Sequence, residues 1–275
     1  MLGKLYIVST PIGNLDDITI RALEIIKKSD YILAESSVRT SKLLSHYKIK
    51  KKIITFNKDN EKRKCNSIIS DLDKGRIISL VTDAGTPSIS DPGYELIAKI
   101  NPKYSAIPIP GPSSLTCALS VSTIPINNFI FFGFLPKKSN ERIKKIKEIN
   151  KINLPAVIYE SKHRIKSLLN DIADIIGKDT LVIVFRELTK IHESIKSYKV
   201  EQLLSELEKK PLLGEITLIV NKCSKNPDSI ESYKDRVKSL LKDHNPSEVV
   251  SILRLFTEYK KKELYKFVLN VRQEV

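Results

Sequence analysis

Ser79-Leu-Val-Thr-Asp-Ala-Gly-Thr-Pro-Ser-Ile-Ser-Asp-Pro-Gly93 decides how the rest of the chain is read. An apolar run (Ile77, Ile78, Leu80, Val81) stops at Asp83 and gives way to small, polar and turn-forming residues, and a helical pattern resumes at Tyr94. Such a run is a buried strand, and the loop at its C-terminal end lies where open α/β sheets hold their ligands. Gly85, Pro87, Pro92 and Gly93 each free or restrict the backbone at one point, which a linker of uniform composition does not need. The loop is expected to form one wall of a cofactor site.

Upstream, Lys4–Ser9 has the pattern of an inner strand, and Thr10-Pro-Ile-Gly-Asn-Leu15 that of a loop. Asp16, Asp17 or Thr19 is placed to cap a helix beginning near Ile18, with Ile20, Leu23 and Ile26 on one face. A strand at Tyr31–Ala34, a helix at Thr40–Tyr47, a strand at Ile53–Phe56 and an amphipathic helix at Asn60–Lys74, ended by Gly75, complete the approach to the quoted stretch. A helix at Tyr94–Ile100 and a strand at Tyr104–Pro108 follow it. Strand and helix alternate throughout, which predicts a mostly parallel sheet.

Pro108-Ile-Pro-Gly-Pro112 marks a domain boundary, after which Ser113 and Ser114 are placed to cap a helix over Leu115–Val121. The second half repeats the rhythm. Strands are expected at Phe129–Phe132, Ala156–Tyr159, Leu181–Phe185 and Ile216–Asn221, and helices at Ser139–Ile149, His163–Ile176 and Val200–Lys209. From about Asn226 only helices remain, Glu231–Lys242 and Ser247–Val271, with ten Lys and Arg against six Asp and Glu after Ser232. This tail reads as a helical appendage, either of helix-turn-helix type or as a cap on the second domain. The expected division is an α/β domain over 1–112, a second over 113–226 and a small basic helical domain over 227–275.

Hydrophobic residues at 41% and charged residues at 29% give a globular chain rather than a disordered one. No apolar run approaches the ~18 residues of a membrane span, and the N-terminus reads as a first strand, not a signal peptide. Cys65, Cys117 and Cys223 are far apart and lack metal-ligand spacing, so buried thiols in a reducing cytosol are expected, with neither disulfide nor zinc. The net charge of +15 implies a polyanionic partner, nucleic acid before membrane, although a Lys-, Ile- and Asn-rich composition accounts for part of it.

Four loops follow strand ends: Thr10–Leu15, Asp83–Gly93, Pro110–Ser114 and Gly133–Lys138. None contains the Gly-x-Gly-x-x-Gly of a dinucleotide site or the Gly-Lys-Ser/Thr of a phosphate-cradling loop. The four histidines form no metal or nucleophilic motif, and no Gly-x-Ser-x-Gly elbow occurs. Asp83 is placed to accept hydrogen bonds from a ribose or an amino group, or to cap the Gly85–Thr86 turn. Glu160 and Glu187 end strands as site groups or as partners of Arg164 and Arg186. Lys137–Lys151 carries seven Lys and Arg against two Glu directly after Phe131-Phe-Gly-Phe-Leu-Pro136, the pattern of a solvated face or of a phosphate contact.

Taken as a set, several blocks resemble a known family. They are Leu5-Tyr-Ile-Val-Ser-Thr-Pro-Ile-Gly-Asn-Leu15, Thr82–Gly93, Pro110-Gly-Pro-Ser-Ser114, Phe132-Gly-Phe-Leu-Pro136, Tyr159-Glu-Ser-Lys-His-Arg164 and Arg186-Glu-Leu-Thr-Lys-Ile-His-Glu193. They look like the signature blocks of the bacterial ribosomal RNA small subunit methyltransferase I family, of the tetrapyrrole (corrin/porphyrin) methylase superfamily. The resemblance implies two α/β domains with a cofactor cleft between them and a small C-terminal helical domain. It also implies S-adenosyl-L-methionine as cofactor, 2′-O-methylation of a cytidine in the decoding region of 16S rRNA within the small ribosomal subunit, and a homodimer; a cytoplasmic location with neither DNA nor membrane as partner is expected alongside. Pro11, Gly13, Asp83, Ala84, Gly85, Thr86, Ser88, Ile89, Pro110, Gly111, Ser113, Ser114, Gly133, Phe134, Leu135, Glu160 and Leu188 would surround the cofactor.

A ribose hydroxyl is a poor acid, so a base or a cation for the developing alkoxide is expected, with Lys190, Arg186, Glu35 and Asp83 as candidates. Arg39, Lys137, Lys138, Arg142, Lys144, Lys145, Lys260, Lys261 and Lys262 are the cations expected to meet RNA. Two blocks depart from the family: Glu35-Ser-Ser-Val38 stands where Glu-Asp-Thr-Arg is usual, with Arg39 displaced by one, and Asn57-Lys-Asp-Asn-Glu61 replaces a His-bearing block. Competing functions are a tetrapyrrole C-methyltransferase and a non-catalytic RNA-binding factor that retains the fold.

Overall fold

The structure, a computed structural model, describes residues 3–152, 154–221, 230–257 and 259–274. Two compact units are present, Met1–Asn221 and Lys222–Val275. In the first, β1 (Lys4–Val8), α1 (Ile20–Lys28), β2 (Tyr31–Ala34), α2 (Ser37–His46), β3 (Lys52–Thr55), α3 (Glu61–Asp73), β4 (Ile77–Val81), α4 (Tyr94–Ile100) and β5 (Ala106–Ile109) alternate strictly. Their strands form one sheet, order β3-β2-β4-β1-β5, parallel at every pairing. The continuous burial of Tyr31-Ile-Leu-Ala34 is what a strand covered on both faces requires.

Alternation along the strands sorts the side chains onto those two faces. Leu5, Leu33, Ile78 and Leu80 pack with Cys65, Ile68 and Leu72 of α3 and with Leu96 and Ile100 of α4. Val8, Ile32, Ala34, Val81 and Ile109 pack with Ala22 and Ile26 of α1 and with Leu43 and Leu44 of α2. Burying a Leu or Ile side chain stabilises the fold by about 1.5–3 kcal/mol, and the largest fully buried aliphatics include Leu5, Ile26, Ile32, Leu33, Leu72 and Leu96. Thr19 is the residue that caps α1, its Oγ1 accepting from Ala22 N at 3.1 Å, so Asp16 and Asp17 lie in a preceding 3-10 turn instead.

After Pro112 come α5 (Ser114–Ser120), β6 (Ile130–Phe134), α6 (Ser139–Lys151), β7 (Ala156–Ser161), α7 (Ile165–Ile175), β8 (Leu181–Arg186), β9 (Ser194–Lys199), α8 (Val200–Lys209) and β10 (Glu215–Asn221). They form a second five-stranded sheet, order β6-β7-β10-β8-β9. Here the sequence rhythm misleads. Only β6 and β7 pair in parallel, whereas β10 runs antiparallel to both β7 and β8, and β8 pairs antiparallel with β9. The cause is β9, an edge strand (Ser194-Ile-Lys-Ser-Tyr-Lys199) too exposed and polar to announce itself, which turns the β8 connection into a hairpin. Ser113 and Ser114 make no capping bond at the start of α5, and the Ser114 hydroxyl is used elsewhere.

The second unit contains a 3-10 turn (Ile230–Tyr233), α9 (Lys234–Leu240), α10 (Pro246–Arg254) and α11 (Lys261–Gln273) around a core of Val237, Val249, Val250, Leu253, Leu264, Phe267, Val268 and Val271. The helix expected over Ser247–Val271 is two helices. The apolar stripe loses phase at Leu255 and Phe256, both exposed, and Glu263 accepts from Lys260 N to open a new helix. The boundary expected near Asn226, and Cys223, lie outside the described residues. Cys65 is fully buried, its thiol donates to Glu61 O at 3.2 Å, and burial pushes its pKa up. Among the described residues, no helix is long and apolar enough to cross a membrane, and no three His, Cys, Asp or Glu side chains gather to hold a metal ion.

Candidate active site

Three of the strand-end loops are tied into one surface. Thr10 and Gly85 exchange backbone hydrogen bonds in both directions at 2.9 Å, and Thr10 Oγ1 donates to Thr82 O at 3.0 Å. The pairing holds Gly85 at φ +85°, a left-handed conformation that glycine tolerates without a Cβ penalty. Ser9 Oγ meets Thr86 Oγ1 at 2.9 Å, and Thr86 Oγ1 donates to Pro112 O at 3.3 Å. A Cβ on Gly111 would stand 2.9 Å from Ser9 Cβ, so the third loop lies directly on the first. The bonded loops form one side of a cleft of about 730 Å³, closed on the other side by the second sheet.

Carboxylates gather on the first side. Thr82 Oγ1 donates to Glu35 Oε2 at 3.1 Å, and the same hydroxyl stands close enough to Asp91 to act on its carboxyl. A single hydroxyl proton cannot serve two carboxylates. Burial pushes the Asp91 carboxyl above the usual carboxylate range, and the nearby Glu35 and Asp83 charges add to the shift against the lowering effect of Thr82 and Lys58. Asp83 accepts from Ser36 N at 3.0 Å and lies 3.5 Å from Arg39 Nη1, so it orients the start of α2 rather than the Gly85–Thr86 turn. Glu35, Arg39, Thr82, Asp83, Ala84 and Asp91 all line the cleft.

The second side is aromatic and ionic. Tyr159 is wedged edge-on against Phe131 (5.0 Å between centroids) and Phe134 (5.6 Å), and its hydroxyl accepts from Ser114 Oγ at 2.8 Å. Burial is the main cause of its raised pKa. Glu160 is buried, with Oε1 accepting from Ser161 N at 2.7 Å. Its Oε2 lies 3.3 Å from Arg164 Nη2 and has no hydrogen-bond partner, while that same Nη2 donates to the carbonyls of Leu135 and Pro136. A buried acceptor lacking a donor is costly unless a ligand completes it.

Beside it, Lys190 Nζ sits between two carboxylates, donating to Glu187 Oε1 at 3.0 Å and Glu215 Oε2 at 2.9 Å. Burial draws the ammonium down, but the two bonds outweigh it and hold Lys190 above the usual lysine value. Burial likewise pushes Glu187 up, and its bonds from Glu215 N and Lys190 overcome that to leave it below the usual range. Lys190 is thereby a fixed cation at neutral pH. Glu187 reaches this position at φ +53°, next to Gly214, where a Cβ would lie 2.5 Å from the Glu187 side chain. Gly13 lies over the same loop: its Cβ would be 2.5 Å from Lys190 Cγ, and Asn14 N donates to Thr189 Oγ1 at 3.1 Å. The floor is apolar, from Ile12, Phe185 and Leu188.

Of the residues expected around a cofactor, the cleft lining brings together Asp83, Ala84, Ser114, Phe134, Glu160 and Leu188, along with Lys190, Glu35 and Arg39. Pro11, Gly13, Gly85, Thr86, Pro110, Gly111 and Ser113 belong to the bonded loops behind that lining. Gly133, at φ +60°, brings β6 close to Ser90, and Ser88, at φ +68°, packs on Gly93.

Four further expected residues lie outside the cleft lining. Arg186 donates to Ser194 Oγ (3.1 Å), His192 O (2.9 Å) and Leu213 O (3.4 Å), so its guanidinium binds loops together and does not face the cleft. Arg142 is buried, with Nε 2.6 Å from Asp171 Oδ2, and ties α6 to α7 instead of meeting RNA. Leu135 belongs to the second core and Ile89 points to solvent. Glu187, expected as a site group or a partner of Arg186, pairs with Lys190 instead, and the structure adds Asp91, Tyr159 and Glu215 to the cleft. Asp91 and Tyr159 stand within quoted blocks, but only burial separates Asp91 from an ordinary turn residue.

The chain matches the sequence profile of the Tetrapyrrole (Corrin/Porphyrin) Methylases over residues 4–204. It is 46% identical over 221 residues to "Ribosomal RNA small subunit methyltransferase I" of Thermotoga maritima, an alignment covering 80% of this chain and 99% of the relative. The protein of the same name from Buchnera aphidicola subsp. Schizaphis graminum is 39% identical over 280 residues, covering 99% of this chain and 98% of that one. Among solved structures, uroporphyrin-III-C-methyltransferase from Thermus thermophilus superposes with a TM-score of 0.57 at 17% identity, covering 80% of this chain and 94% of its own, a likeness of fold alone. Identity at this level along nearly the full length makes the chain a methyltransferase that belongs to the tetrapyrrole (corrin/porphyrin) methylases, in their ribosomal RNA small subunit methyltransferase I branch.

Proposed function

We propose that this enzyme methylates the 2′-hydroxyl of a cytidine ribose in the decoding region of 16S rRNA, using S-adenosyl-L-methionine, on the small ribosomal subunit and as a cytoplasmic homodimer. The observation that carries the proposal is the cleft in which loops from both sheets converge, in a chain whose relatives bear a ribosomal RNA methyltransferase name. Transfer to a tetrapyrrole carbon is the weaker alternative, because the net charge of +15 far exceeds what a local anion pocket needs.

The residues present suit the cofactor. A cleft of about 730 Å³ lies within the size range of small-molecule sites. Glu160 Oε2, ion-paired with Arg164 at 3.3 Å but without a hydrogen-bond donor, is the acceptor this side offers to an adenine amino group or a ribose hydroxyl. Ala84, Ser114, Phe134, Glu160 and Leu188 would hold the cofactor, and when bound it supplies an electrophilic methyl on a sulfonium. The bonded loops exclude water from one side and fix the orientation of the reactants, which is much of what an in-line displacement asks of an enzyme.

Asp91 is the group to take the 2′-hydroxyl proton, because burial and the neighbouring carboxylates move it toward neutrality while leaving it in the cleft. The Thr82 hydroxyl links it to Glu35, which offers that proton an onward path. Lys190, locked as a cation, stabilises developing alkoxide or an adjacent phosphate and does not act as a base. Arg39, Lys137, Lys138, Lys144 and Lys145 are proposed contacts to the RNA backbone, as are Lys260, Lys261 and Lys262.

The test incubates the purified protein with 30S subunits and methyl-labelled cofactor, then maps the modified nucleotide. Label at one cytidine 2′-oxygen is the expected result. Label entering uroporphyrinogen and not RNA would overturn the proposal, and absence of cofactor binding by calorimetry would favour a non-catalytic RNA-binding factor.

A further inference from the structure

The helical unit carries two large apolar side chains in the open. Leu255 is 77% exposed and Phe256 74%, adjacent to each other in the connection between α10 and α11. In sequence Arg254 precedes them and Lys260, Lys261 and Lys262 follow, all four exposed, with Glu258 the one acid between. One turn into α11, Tyr265 and Lys266, then Leu269 and Arg272, are exposed as well. The helical period puts Lys262, Tyr265, Lys266 and Leu269 on one stripe, opposite the buried Leu264, Phe267, Val268 and Val271.

Three acids of this unit are engaged in contacts of their own. Glu263 accepts from Lys260 N, Glu248 accepts from Asn245 N at 3.0 Å, and Glu274 pairs with Lys234 and Lys238. Among the described residues none of the cations on the α10–α11 face has a carboxylate partner. A solvated basic helix face needs no Phe. Conversely, an apolar interface does not need six exposed cations around it.

We infer that the Leu255–Phe256 connection and the outer face of α11 form a docking surface for an unpaired stretch of RNA, with Phe256 as a stacking platform for a base and the flanking Arg and Lys side chains on its phosphates. The inference rests on the reading of the substrate as RNA and adds where and in which state the strand is gripped. Base faces are available for stacking only where the strand is unpaired, because in a duplex they are stacked on one another. The ring supplies a sequence-tolerant contact, and the cations supply a salt-dependent one.

The experiment uses the full chain and a fluorescein-labelled single-stranded RNA of mixed pyrimidines, with the matching RNA duplex beside it, by anisotropy across a salt series. Phe256→Ala should weaken single-strand affinity by on the order of tenfold with the salt slope kept. Phe256→Tyr should restore it. Lys262→Gln with Lys266→Gln should lower the slope by about 0.7 per cation removed. Thermal melting should not move in either variant, since the side chains are solvent-exposed. Unchanged single-strand affinity in Phe256→Ala would overturn the inference, as would equal losses on strand and duplex, or tighter binding of the wild type to phosphatidylglycerol vesicles than to RNA. Methylation of 30S subunits by the wild type, measured alongside, separates failure of this surface from failure of the functional reading.

Discussion

The side of the cleft built from the first sheet holds its shape through neutral hydrogen bonds: Thr10 against Gly85, Ser9 against Thr86, Thr86 against Pro112. The side built from the second sheet holds its shape through ionic contacts, Lys190 between Glu187 and Glu215 and Glu160 beside Arg164, with Arg142 on Asp171 joining α6 to α7 away from the lining. Among the described residues of the first side only Arg39 pairs with a carboxylate, Asp83, and burial together with the nearby Glu35 and Asp83 charges pushes Asp91 toward holding a proton. Ionic contacts do the reverse and fix Lys190 in its charged form. One side is suited to move a proton and the other to supply a constant positive field.

The comparison breaks most clearly at Asp91. Asp91→Asn should lower methyl transfer by roughly 10²–10⁴-fold with cofactor binding intact by calorimetry, the range for a lost general base. The wild-type rate should rise with pH through the raised Asp91 value, and the variant should lose that limb. Stability gives an independent check. A carboxyl whose folded pKa lies above its unfolded value supports the fold fully below the unfolded value near 4, and that support is lost as pH rises through the folded value. Asp91→Asn should therefore flatten the fall of melting temperature toward neutral pH. An unaltered pH–rate profile would remove Asp91 from the chemistry.

Arg142 tests the ionic side. Removing one partner of a buried pair typically costs about 3–5 kcal/mol, so Arg142→Ala should unfold at markedly lower denaturant while the RNA affinity of the surviving folded protein stays at wild-type level. Reduced RNA affinity without loss of stability would return Arg142 to the RNA contacts. The smallest effect is expected at Asp83, where Asp83→Ala should weaken cofactor binding by about tenfold, the loss of one charged hydrogen bond, with the chain still folded. Normal cofactor affinity in that variant would leave Asp83 with only its structural bonds to Ser36 and Arg39.

Much of the first sheet is legible from the chain because parallel, doubly covered strands are written as short apolar runs such as Tyr31-Ile-Leu-Ala34 between helical stripes. The second sheet is less so. An edge strand such as Ser194–Lys199 buries little and needs no apolar alternation, so the hairpin it makes, and the antiparallel insertion of β10, leave no periodic trace. In the cleft, the Asp83–Gly93 and Arg186–Glu193 blocks are conspicuous in sequence, but side-chain direction within them is not. Arg186 and Lys190 are four residues apart in one block, and one turns to Ser194 and His192 O while the other turns into the cleft.

By itself the sequence determined the strand-and-helix order of the first half, the loops that meet at strand ends, and the excess of positive charge. These follow from local periodicity, turn chemistry and composition. Only the tertiary structure decided which charges are free. Arg142 and Asp171 lie 29 residues apart and neutralise each other in the interior, whereas Glu187 and Glu215, 28 residues apart, clamp Lys190 at the cleft. Burial and ion pairing depend on what the fold brings within a few ångströms, and no spacing along the chain records that.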